Sequence, residues 1–139
     1  MTQSFTIRSQ TAGIWWTVRI HDSLDQMRAT ATRHRPRDND LDNTMGLCQP
    51  TNYWEDEDGL CPPPHNYGGI IRYAADWLDD EVFLHEIVHA AAASYRHMGR
   101  LNVNLGRDCG RNEELFAHIY GELAADLLWK LRGRVKIAA

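Results

Sequence analysis

The chain reads as a single α+β domain, and three observations point there. An early stretch, Ile14-Trp15-Trp16-Thr17-Val18-Arg19-Ile20, is rich in the aromatic and β-branched residues that favour strands. Two later stretches, from Asp79 to about Arg96 and from Asn112 to Leu128, carry helix-like spacing and end signals. A chain of 139 residues, 43% of them hydrophobic, is long enough for one modest core without disulfide staples. The expected architecture is a small antiparallel sheet, made of the N-terminal strands and a strand at 69–73. It packs on three main helices, one at 23–35 and the two later ones.

In chain order, Ser4 to Arg8 alternate weakly and pair with 14–20 as a hairpin, with Thr11-Ala12-Gly13 as the turn. The two tryptophans read as sheet and core packing rather than as a ligand platform. Ser23-Leu24-Asp25-Gln26 is a capping-box pattern that starts a helix, and Pro36 stops it. The basic end of that helix, Arg28, Arg33, His34, Arg35 and Arg37, suits a helix C-terminus as a solvated face. A phosphate or acidic-substrate contact is the other reading of it.

From 37 to 66 no period persists, and the acidic residues and Pro62-Pro63-Pro64 predict a long loop or lid. Cys48, Cys61 and His65 in this stretch, with Cys109, either form a second zinc site or are free thiols, and their spacing favours thiols. Gly68 to Ala74 is a short strand, Leu101 to Gly110 a turn-rich connector, and Trp129 to Lys136 a basic helix end and tail. No internal repeat is present.

A net charge of −4 argues against a general nucleic-acid surface, and no helix-turn-helix is visible. Met1 to Arg8 lacks a basic, then apolar, leader, and no apolar run approaches the ~18 residues of a membrane span. Three cysteines, an odd number, do not form a disulfide framework. A cytoplasmic protein with no membrane partner is expected.

Chemistry concentrates at His85-Glu86-Ile87-Val88-His89. On a helix the two imidazoles lie one turn apart on one face, where both reach a single metal ion, with Glu86 beside them. Asp80 and Glu81 suit the first turn, four alanines follow, Arg96 suits the last turn and Gly99 is a stop. Three fixed positions of this kind match by chance in roughly 2% of chains of this length. A pair of half-exposed histidines with a solvated neighbour is the bland alternative.

A catalytic zinc takes three protein ligands and a water, a structural one four. The supplier of the third is the helix Asn112-Glu113-Glu114-Leu115-Phe116-Ala117-His118. Glu114 heads a stripe of mostly small residues, Ala117, His118, Gly121, Ala124, Ala125 and Leu128, that would let two helices approach closely. Glu113 heads a stripe through Phe116, Ala117, Tyr120 and Leu127 that looks like ordinary core. The stripe argument favours Glu114 and leaves Glu113 open.

His85-Glu86-Ile87-Val88-His89 followed by Glu114-Leu115-Phe116-Ala117-His118 resembles the gluzincin metallopeptidases, most of all the minimal members that include phage-encoded and ImmA/IrrE-like proteins. The resemblance covers about residues 70–130. It implies a zincin-like fold, one Zn²⁺ per chain held by His85, His89 and Glu114, and Glu86 as general base. It also implies a peptide or protein substrate, paired by its main chain to the strand at 70–73 as sheet edge, with a merely structural edge strand as the other reading of 70–73. His118 departs from the Asp or Asn usual at its place. Oxyanion candidates by residue type are Tyr73, Tyr95, His97, His118 and Tyr120. A zinc-stabilised binding or regulatory module without turnover is the other class, and a general base at Glu86 leans away from it.

Overall fold

A computed structural model describes residues 2–38, 40–51, 54–56, 59–61, 66–98 and 111–134, with 54–56, 59–61, Arg111 and Arg134 described by backbone alone. β1 (Gln3–Ser9) and β2 (Ile14–His21) form the expected antiparallel hairpin, with Phe5 opposite Val18 and Ile7 opposite Trp16. Gly13, at φ 67°, takes the left-handed turn conformation that a side chain disfavours. Alternation then sorts β2 by face. Ile14, Trp16, Val18 and Ile20 enter the main core, while Trp15, Thr17, Arg19 and His21 face the other way.

Helix α1 (Leu24–His34) starts as its sequence predicts: Ser23 accepts from the Gln26 amide, and Gln26 accepts in return from the Asp22 amide. It covers the second face of the sheet with Met27 and Ala31. After it comes β3 (Leu47–Pro50), then a separate hairpin of β4 (Trp54–Asp56) and β5 (Gly59–Cys61), so the stretch at 37–66 is not strandless as expected. β6 (Tyr67–Ala74) completes the main sheet.

The sheet order is β1-β2-β6-β3, and β6 runs parallel to β2 but antiparallel to β3. The sheet is therefore mixed, where an antiparallel one was expected. The cause is the connection: α1 lies between β2 and β6 in the chain, and such a crossover returns a strand in the same direction. The strand at 70–73 is also interior, and β3 forms the edge.

Helices α2 (Asp80–His97) and α3 (Arg111–Arg134) pack together on the first face. Asp79 caps α2 by accepting from the Glu81 amide at 2.7 Å. Fully buried Trp16 reaches across the core and donates from Nε1 to Ser94 Oγ at 3.0 Å. α3 points Phe116, Ile119, Leu123, Leu127 and Leu131 into that core. Its flank closes the β1 edge: Glu122 accepts from the Thr11 amide, Asp126 from the Arg8 amide, and Lys130 donates to the Thr6 carbonyl. Capping one edge with side chains leaves β3 as the sheet edge beside α2.

Candidate functional site

One face of α2 carries Glu81, His85, His89, Ala92 and Arg96 at helical spacing, with Val82 and Glu86 alongside. These residues form one wall of a groove of about 650 Å³, and residues 43–48 with Pro50 form the other. Arg28 pins the second wall by donating to the Thr44 carbonyl from Nε at 3.1 Å and Nη2 at 3.0 Å. Gly46 lies so close to α2 that a Cβ there would sit 2.7 Å from Val82 Cγ1 and 3.0 Å from Glu86 Cγ.

His85 and His89 are exposed to the groove, and their Nε2 atoms converge to 3.2 Å. Two nitrogens bound to one tetrahedral zinc at 2.0–2.1 Å would lie about 3.3 Å apart. The separation therefore fits a shared ion, as it also fits a hydrogen bond between two neutral rings. Desolvation and then the neighbouring His85 hold the His89 pKa below its ordinary value, which keeps its lone pair free for either use.

Glu86 is 7% exposed. Burial pushes its carboxyl up, and His85 and a hydrogen bond from the Cys48 amide pull part of the way back. The Cys48 amide thus points away from β6, out of the sheet edge towards α2. The Cys48 thiol is itself pushed well up, by burial first and then by Glu86. Among the described residues it is a free cysteine, whereas Cys61, His65 and Cys109 have side chains outside the description.

The two glutamates at the start of α3 face differently. Glu114 is exposed, as are Ala117, His118, Gly121 and Ala125 of its stripe, while Glu113 lies on the side of Phe116, Tyr120 and Leu127. Glu113 Oε2 is buried with no hydrogen-bond partner. A carboxylate oxygen in that condition is costly unless a cation or donor satisfies it. Among the described residues, no three His, Cys, Asp or Glu side chains are gathered closely enough to hold a metal.

Of the oxyanion candidates, Tyr73 is committed, donating to the Phe83 carbonyl at 2.9 Å, and Tyr95 is buried. His97 and His118 are exposed, Tyr120 packs against the core, and none of the five lines the groove. Arg96 does line it, a position that extends the His85–His89–Ala92 stripe by one turn. Gly46 and Cys48 complete the site, and no local motif marked them.

No family model matches the chain, and neither curated proteins nor solved structures include a similar one. Among the described residues, no helix is long and apolar enough to cross a membrane.

Proposed function

We propose that the chain is a zinc-dependent peptide hydrolase of gluzincin type, a zincin-like domain working in the cytoplasm. One observation carries the reading: two imidazole nitrogens converge in a groove with a buried carboxylate, Glu86, directly beside them. When bound, zinc would supply Lewis acidity, acidifying a water and polarising the scissile carbonyl.

His85 and His89 would present their Nε2 atoms to the ion. We assign the third donor to Glu113 rather than Glu114, because the buried, unpartnered oxygen belongs to Glu113 while Glu114 itself is exposed. Glu86 takes the proton of the attacking water and returns it to the leaving amine. Its raised pKa suits a group that must do both near neutral pH. A substrate peptide would lie along β3, the sheet edge of the groove, with Arg96 available to its negative groups.

The binding-module reading has one observation in its favour, the absence of a gathered third ligand among the described residues. Glu86→Gln separates the two. The amide keeps the shape but cannot accept the water's proton, and loss of a general base costs about 10²–10⁴-fold. Wild type and Glu86→Gln, each loaded with zinc, are added to a lysate of the native host, and new peptide N-termini are counted by mass spectrometry. Cleavage by the wild type alone is expected; identical N-termini with both proteins would favour the binding module.

A further inference from the structure

The second face of the sheet carries a different kind of chemistry. Arg19 on β2 and Arg72 on β6 are direct partners in the parallel pairing, so both side chains leave the sheet on the side of α1. Arg72 is 1% exposed. Its Nε donates to Gln49 Oε1 at 2.7 Å and its Nη1 to His21 Nε2 at 3.2 Å, and both acceptors are neutral. A guanidinium has five N–H donors, and these contacts use two. Among the described residues Arg72 makes no ion pair.

The neighbours add to the imbalance. His21 accepts through Nε2 and so carries its proton on Nδ1, which is buried without a partner. Burial, then Arg72 and Arg19, hold its pKa down to about 4, against a smaller opposing pull from Asp22. His34, at the end of α1, is held below its ordinary value by burial and by Arg72, Arg19 and Arg35, opposed by Asp38. Asp38 reaches Arg72 only through Gln49, whose Nε2 donates to Asp38 Oδ2 at 2.9 Å and to the Ala31 carbonyl at 3.1 Å. Like charges at one register repel, and a buried charge is ordinarily paired.

We propose that Arg19, Arg72 and the flanking imidazoles form a binding site for a small tetrahedral oxyanion of phosphate type, free or carried as a phosphomonoester. The donors that Arg72 leaves unused and the guanidinium of Arg19, its register partner on the adjacent strand, are of the kind that pairs with an oxyanion. Half-buried Arg19 and exposed His34 bring the cluster to the surface, which gives the ion a way in. The site lies across the sheet from the histidine pair and does not depend on the metal reading.

The test measures the melting temperature of the whole chain in inorganic phosphate against chloride at matched ionic strength. The wild type should rise saturably by roughly 5 °C or more. Arg19→Gln, which leaves the buried Arg72–Gln49–His21 contacts in place, should remove the rise, and Arg72→Met should remove it as well. Phenyl phosphate in place of phosphate asks whether the ester is also taken, and either ion raising the wild type alone supports the site. Equal melting in phosphate and chloride would overturn the proposal, as would a full response from Arg19→Gln. So would an Arg72→Met protein more stable than the phosphate-saturated wild type.

Discussion

The amide of Cys48 donates to the carboxylate of Glu86, and this bond ties the edge strand of the sheet to the motif helix. The position of this carboxylate is therefore tied to that of the strand. A shift of β3 relative to α2 moves the acceptor that the proposed chemistry depends on, and the closeness of Gly46 to the same helix sets that spacing.

Gly46→Val should report on this directly. A branched side chain there overlaps Val82 and Glu86, so wall and helix must part. Overpacking of this kind costs about 1–3 kcal/mol. A lower melting temperature with zinc content unchanged is expected, because neither histidine is touched. Any peptidase activity should fall by about tenfold or more, since small displacements of a catalytic group cost that much. Unchanged activity would show that Glu86 is not positioned from this wall.

Glu122 gives a pH signature far from the site. Burial raises its pKa, but hydrogen bonds from the Thr11 hydroxyl, the Thr11 and Gln10 amides and the Ser9 hydroxyl outweigh it, and the net direction is down. A carboxyl with a depressed folded pKa stabilises the fold above its unfolded value, and that contribution is lost as pH falls through the folded one. Stability should therefore decline as pH drops below the ordinary glutamate range, and Glu122→Gln should flatten that part of the curve in denaturant titrations. An identical pH dependence in both proteins would mean that the turn does not hold this side chain in solution.

Much of this was legible in the residues. The hairpin at Ile14–Ile20, the Ser23–Gln26 box and the motif helix each declare themselves locally, through alternation, capping residues and spacing. β3 does not, because Leu47-Cys48-Gln49-Pro50 has no alternation and ends in proline; only pairing with β6 makes it a strand. The direction of β6 was equally hidden, being set by the crossover through α1. The choice between Glu113 and Glu114 turned on a stripe of small residues. Small residues permit close helix packing but also suit an open surface, and here Ala117, Gly121 and Ala125 are exposed.

The most direct measurement is zinc stoichiometry by elemental analysis on the purified wild type and on His85→Ala, Glu113→Gln and Glu114→Gln. A three-ligand site loses its ion when a ligand is removed and keeps it when an exposed neighbour is changed. The account predicts one zinc per chain in the wild type and in Glu114→Gln, with zinc lost from His85→Ala and weakened or lost in Glu113→Gln. Zinc lost from Glu114→Gln but kept in Glu113→Gln would move the third ligand back to Glu114. No zinc in the wild type, or full zinc in His85→Ala, would contradict the metal centre itself.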